Sequence, residues 1–249
     1  MIIYSVNNKI ALIKLNRPEK RNALHPDLVK EFKEKLGQAG NDDNVSVLII
    51  TGEGNSFCAG ADLAYLQDLN SFSSLENEAD SKSLAELFLD IYKFPKPTIA
   101  AVNGAAIAGG CGLASVCDII VADKQHAKFG YSEVKIGFIP AVVSIFLIRK
   151  IGEGRAKHLL LTGEIIDSEK AFQLGLVNYL TGDVNAFSFE LASDLLKNSD
   201  YSMQFTKQMI NDISVLPVDK AVEYCVELNT ISRSSEDFKK GISSFLNKK

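Results

Sequence analysis

The chain has 249 residues, enough for one large domain or a domain with a small appendage. Hydrophobic residues make up 46% and charged residues 23%, which excludes wholesale disorder. Lys+Arg total 27 against 31 Asp+Glu, a net charge of −4 with no dominant basic block, so nucleic acid is not an expected partner. No apolar stretch approaches the ~20 residues that cross a bilayer. Met1–Val6 lacks the basic start and apolar run of a signal peptide. The four cysteines (Cys58, Cys111, Cys117, Cys225) and three histidines (His25, His126, His158) show no CxxC or HxxxH spacing. The expectation is a cytoplasmic protein with reduced, buried thiols, no metal site and no membrane partner.

In chain order, Ile2–Val6 and Lys9–Leu15 read as strands joined by a tight turn at Asn7-Asn8. A polar loop, Asn16–Asn22, leads to a helix over Pro26–Ala39, with Pro26 suited to the first turn and His25 placed to cap it. Val45–Thr51, Pro97–Asn103 and Asp118–Asp123 are β-branched runs of the kind buried on both faces of a parallel sheet. Asp68–Asp80 is polar and serine-rich and reads as a mobile cover. Beyond Ala141 the strand signal fades into candidate helices at 141–151, 153–161, 167–173, 185–198, 201–214, 217–232 and 235–247. The fold class is therefore α/β, a mixed core followed by helices, with no linker composition between them.

Two segments carry chemistry. Phe57–Leu63 (FCAGADL) and Gly104–Gly112 (GAAIAGGCG) are small-residue turns, each placed between a buried strand and a helix. Small side chains leave peptide N–H groups bare, and a helix start adds unpaired donors. Two such turns side by side could aim one N–H each at a single oxygen. That arrangement is an oxyanion hole, worth ~3–4 kcal/mol per donor as a carbonyl becomes an enolate. The bland alternative is close helix–strand packing. Neither run has the GxxxxGK[ST] or GxGxxG form of a phosphate loop.

CAGADL at 58–63, NGAAIAGGCGLASVCDIIVAD at 103–123 and FGYSEVKIGFIP at 129–140 resemble the enoyl-CoA hydratase/isomerase (crotonase) superfamily. NRPEKRNAL at 16–24, LTGEIIDSEKAFQLGLVN at 161–178 and FKKGISSFLNKK at 238–249 extend the resemblance over essentially the whole chain. It implies a spiral of ββα repeats, taken here as 1–190, followed by a C-terminal helical region, 191–249, that forms a homotrimer or a dimer of trimers. It also implies an acyl-CoA thioester substrate, with coenzyme A belonging to the substrate and no separate cofactor. By motif position the oxyanion amides fall on Ala61 and Gly109, and the proton-transferring carboxylate on Glu133. Substrate contacts fall on Lys20, Ala59, Gly60, Asp62, Leu63, Gly110 and Gly112, with Phe245 and Lys248 at the nucleotide end from a neighbouring subunit.

One departure matters most. Hydratases of the family use two glutamates, the first three residues after the oxyanion glycine; here that position is Gly112, and only Glu133 remains. Glu133 sits in an apolar context that raises a carboxyl pKa toward the range useful for proton transfer. A single carboxylate suits a Δ3,Δ2-enoyl-CoA isomerase, which takes a proton from C2 and returns it at C4. The segment SEVKIGFIPAVVS at 132–144 instead resembles a bacterial hydratase subgroup acting on methylglutaconyl-CoA and related enoyl-CoAs. The expected function is enoyl-CoA hydratase (a lyase), with isomerase as runner-up and a non-catalytic acyl-CoA-binding protein as the reading from another class. Ile136, Phe138, Ile139, Val142, Val143 and Phe146 serve equally as an acyl-pocket wall or a helix core face. Lys135 or Arg149 would have to face any distal carboxylate.

Overall fold

The computed structural model describes residues 1–246. It opens with an antiparallel pair, β1 (Ile2–Asn7) and β2 (Ile10–Leu15). The connecting turn lies one residue later than expected, at Asn8 and Lys9, both with positive φ. Helix α1 (Pro26–Asn41) follows; His25 Nδ1 accepts the Asp27 N–H as its cap, and Leu28, Phe32 and Leu36 face inward.

Three ββα repeats come next, and their geometry positions the site. Each pairs a long buried strand with a three-residue strand of a second sheet: β3 (Val47–Gly52) with β4 (Ser56–Cys58), β5 (Thr98–Val102) with β6 (Ala105–Ile107), and β7 (Ile119–Asp123) with β8 (Lys128–Gly130). Helix α2 (Leu63–Asp68) leaves the first repeat, with α3 (Ser74–Tyr92) behind it. Helix α4 (Gly109–Ser115) leaves the second, and α5 (Ala141–Ile151) closes the third. The chain continues through α6 (Glu153–Thr162), β9 (Ile165–Asp167), α7 (Ser168–Leu174), β10 (Tyr179–Thr181) and α8 (Val184–Leu195). It ends in α9 (Asp200–Ile213), α10 (Val218–Ser234) and α11 (Glu236–Leu246).

The strands form two sheets, in the orders β1-β2-β3-β5-β7-β10 and β4-β6-β8-β9. Apart from the β1–β2 and β8–β9 pairs every neighbour is parallel, as the doubly buried runs predicted. The principal core, with Phe32, Phe57, Phe88, Phe129 and Tyr131, spans both sheets and the helices between them. A smaller cluster packs Val184 and Ala192 of α8 onto Val47, Ile49, Ile99 and Val121 of the large sheet.

The expected 190/191 division falls inside helix α8, which is buried against the sheet. One reading of the sequence changes. Much of the segment read as a mobile cover is helix: Ser73 and Glu76 form a reciprocal capping box that starts the 19-residue α3. Of the four cysteines, Cys58, Cys111 and Cys117 are buried free thiols, while Cys225 is half-buried.

Candidate active site

The first small-residue turn leaves β4 and the second leaves β6, which are hydrogen-bonded parallel neighbours, so both turns emerge from the same end of the small sheet. Contact between them is close. A Cβ added to Gly60 (φ +87°) would lie 2.8 Å from the Ile107 carbonyl oxygen and 3.5 Å from the Gly109 nitrogen. A Cβ on Gly110 would come within 2.0 Å of the Cys58 carbonyl oxygen. Only glycine permits that approach.

The 16–24 loop pins the first turn. Asn22, buried and with positive φ, donates its side-chain amide to the Glu53 and Ser56 carbonyls. The Ala59 N–H then donates to Arg21 O (3.0 Å), Leu24 N–H to Gly60 O (2.7 Å), and Asp62 N–H to Leu24 O (2.9 Å). This parallel bridge between Leu24 and Ala61 uses the peptide groups on either side of Ala61 and leaves the Ala61 N–H with no acceptor among the described residues. Gly109, as the first residue of α4, has no intrahelical acceptor for its own N–H.

The residue before it is strained. Ala108 sits at φ 51° and ψ −122°, a region that costs a non-glycine residue ~1–3 kcal/mol. The Ala108 N–H donates to Gly130 O at 2.7 Å, which holds the turn and ties it to the segment carrying Glu133. That segment is anchored by fully buried Tyr131, whose hydroxyl lies 2.8 Å from the Ser115 hydroxyl on α4. Glu133 is only 8% exposed, and its buried Oε2 has no hydrogen-bond partner among the described residues. Burial pushes the Glu133 carboxyl pKa up, partly offset by its own backbone N–H.

Gly112 faces a filled space. A Cβ there would come 2.3 Å from Val143 Cγ1, 3.0 Å from Val143 Cβ and 3.4 Å from Phe88 Cε2. The position at which the family resemblance leads one to expect a first glutamate is thus closed by side chains from α3 and α5. The run from Ile136 to Phe146 splits accordingly: Val143 and Phe146 are core, whereas Ile136, Phe138 and Ile139 are exposed.

The other expected substrate residues fall into three groups. Lys20 is exposed on the 16–24 loop and Leu63 is 75% exposed at the start of α2, both open to a ligand. Asp62 is committed within the protein: it pairs with Arg17 at 2.9 Å and caps α2 by accepting the Ala64 N–H. Burial alone would raise its pKa, but Arg17 and the α2 amides together hold it below the ordinary aspartate value. Phe245 falls on α11, and Lys248 lies outside the described residues.

Sequence reasoning did not find the cleft beside Ala61. It has a volume of about 360 Å³ and lies between the start of α1, α2 and α3, with Leu24, Ala61, Tyr65 and Asp80 in its wall. The heptad-like apolar spacing late in α3, together with the capping box, was the available signal. Arg149 belongs elsewhere, in a cavity of about 780 Å³ lined by none of Ala61, Gly109 and Glu133. His126 is in a polar loop beside Asp123 and His158 is on an exposed helix face beside Glu164, as read from the sequence.

The sequence profile described as Enoyl-CoA hydratase/isomerase matches residues 5–249. The chain belongs to that family. It is 34% identical to a crotonyl-CoA hydratase of Syntrophomonas wolfei over 252 residues, covering 100% of this chain and 95% of the relative. It is equally, 34%, identical to a 2,3-dehydroadipyl-CoA hydratase of Escherichia coli over 251 residues, covering 100% and 96%. A crystal structure of an enoyl-CoA hydratase from Shewanella pealeana superposes with a TM-score of 0.95 at 31% identity, covering 100% of this chain and 94% of that one. The crotonase-type spiral is therefore the fold of this chain. Among the described residues no helix is long and apolar enough to cross a membrane.

Proposed function

We propose that the protein is an enoyl-CoA hydratase that adds water to a 2-enoyl-CoA thioester with a single carboxylate. The observation that carries this reading is Glu133: buried, with an unpartnered oxygen, and tied through Gly130 and Ala108 to the turn that presents the Gly109 N–H. The names of the relatives support the same reaction type.

In this reading the thioester oxygen accepts the Ala61 and Gly109 N–H groups. Water oxygen bonds to C3, the C2=C3 electron pair moves onto the thioester oxygen as an enolate, and Glu133 takes the proton that water loses. Collapse of the enolate draws that proton from Glu133 to C2, which returns the carboxylate to its starting state. One water is consumed and no second acid is required. A raised pKa lets Glu133 both accept and return the proton near neutral pH. Exposed Lys20 and Leu63 would meet the coenzyme A portion. Exposed apolar residues along α10 and α11, among them Val222, Val226, Ile231 and Ile242, support assembly into a homotrimer or dimer of trimers.

The packing of Val143 against Gly112 favours a second reading, Δ3,Δ2-enoyl-CoA isomerase, since that reaction also needs only one base. Crotonyl-CoA and 3-hexenoyl-CoA separate the two. Hydration removes the absorbance of the conjugated thioester, whereas isomerisation of the 3-enoyl ester creates it. Glu133→Gln should lower turnover by orders of magnitude and leave acyl-CoA binding nearly intact. Full activity of Glu133→Gln refutes the assignment.

A further inference from the structure

The two relatives of equal identity act, by their names, on acyl chains of opposite character: crotonyl is neutral, and 2,3-dehydroadipyl ends in a carboxylate. The lining of the cleft beside Ala61 bears on the choice between them. It starts at the peptide group assigned to the thioester oxygen, and Leu24, which lines it, would lie 3.1 Å from a Cβ on Gly109. Beyond that point the wall is apolar, with Val29, Leu66, Leu69, Phe72 and Leu84.

Two of the polar groups in the wall, Glu76 and Asp80, are carboxylates, and the donors beside them, His25 and Ser83, carry no fixed positive charge. Asp80 accepts the Tyr65 hydroxyl at 2.6 Å, so the phenol has no proton left to offer a second carboxylate. Glu76 accepts the Ser73 N–H and hydroxyl, both at 2.7 Å, bonds that favour its charged form. His25 Nδ1 accepts the Asp27 N–H. No lysine or arginine lines the cleft among the described residues. Lys33 approaches Ser83 at the edge but is held by Glu86 at 3.1 Å. Of the cations that would have to face a distal carboxylate, Arg149 lines the other cavity and Lys135 is exposed and absent from this wall.

We infer that this cleft takes the acyl chain of a neutral, apolar 2-enoyl-CoA and rejects chains ending in a carboxylate, with Asp80 and Glu76 as specificity-determining residues. The inference rests on the hydratase reading for the position of the thioester. It runs against the methylglutaconyl-type substrate that the 132–144 segment suggested, because that acyl group carries a terminal carboxylate. A substrate carboxylate in this cleft would leave water without a cationic partner, and the nearby like charges of Asp80 and exposed Glu76 add to that cost. With Glu76 exposed, a water-like dielectric of ~80 applies: each like charge ~6 Å away then corresponds to about threefold, the two together to about tenfold, before the cost of dehydrating the carboxylate is added.

The test compares 2-hexenoyl-CoA with 2,3-dehydroadipyl-CoA, which share a six-carbon acyl chain. The kcat/KM ratio should favour the neutral ester by at least about tenfold, and Asp80→Asn combined with Glu76→Gln should reduce that ratio about tenfold. A ratio near one in the native protein, or a ratio unmoved in the folded double variant, overturns the inference. Calorimetric binding of the saturated esters hexanoyl-CoA and adipyl-CoA reads the same preference without turnover. If neither enoyl ester reacts but hexanoyl-CoA binds more tightly, the hydratase reading falls and the charge discrimination stands. Equal binding of the two saturated esters overturns the discrimination whatever the activity.

Discussion

Adding a single methyl at position 112 is the sharpest test of the packing that closes the first-glutamate position. Gly112 lies inside α4 with a helical backbone, and in an open helix Gly→Ala gains ~1 kcal/mol. Here the new Cβ would overlap Val143 Cγ1 at 2.3 Å, and Val143 is itself buried on α5 with Phe88 behind the site. Overpacking costs ~1–3 kcal/mol, and a 2.3 Å contact with a buried side chain belongs to the upper part of that range, ~2–3, so after the helix gain the variant should lose ~1–2 kcal/mol. For a domain of this size that is a fall in Tm of ~2–8 °C. Val143→Ala alone removes two buried methyl equivalents at ~0.8 kcal/mol each and leaves a cavity, a loss of ~2 kcal/mol. In the double variant each change relieves the other, and the cycle should show a favourable coupling of at least ~1 kcal/mol. Urea unfolding of the four proteins at one protein concentration supplies the numbers. A Gly112→Ala protein as stable as the parent, or strict additivity in the cycle, refutes the account. With the clash relieved, Gly112→Glu in the Val143→Ala background asks whether a second carboxylate accelerates hydration on this scaffold.

Two further outcomes follow from buried charges. Glu133 has a raised carboxyl pKa, so the stability it contributes is complete below its unfolded pKa of ~4.3 and is lost as pH rises through the higher folded value. Glu133→Gln should therefore melt above the parent at pH 8 and converge with it near pH 4; a difference independent of pH contradicts the assigned burial. Asp62 has the opposite sign: its lowered pKa contributes stability above ~3.9 that disappears as pH falls through the folded value. Asp62→Asn leaves Arg17 without its partner and should cost ~3 kcal/mol at pH 7, shrinking in acid, with a raised KM as the first turn loosens. Unchanged acid denaturation and unchanged KM would remove Asp62 from its positioning role.

The helices from Ala141 onward were legible because apolar residues recur every three or four positions over two turns or more; α5 runs over the expected Ala141–Ile151. The long strands were legible as doubly buried β-branched runs. The small sheet was not, because a three-residue strand such as Ser56–Cys58 or Ala105–Ile107 is too short to display any period. Helix α3 was hidden by its serine- and acid-rich first half, whose exposed face imitates a loop, while Leu87, Phe88 and Ile91 sit in the core only at its far end. The two turns announced themselves through their small residues. What filled the space opposite Gly112 could not be read, since Val143 lies 31 positions away along the chain and meets it only through the packing of α4 on α5.

Ala108 has a consequence beyond its own backbone angles. A single residue links the two: the Ala108 N–H donates to Gly130 O on one side of its Cα, and the peptide bond on the other side presents the Gly109 amide. In the proposed mechanism, the group that polarises the substrate and the group that carries its proton would therefore share one mechanical reference point. A displacement of β8 would then act on both through that one hydrogen bond, the condition for two catalytic groups to move together rather than apart.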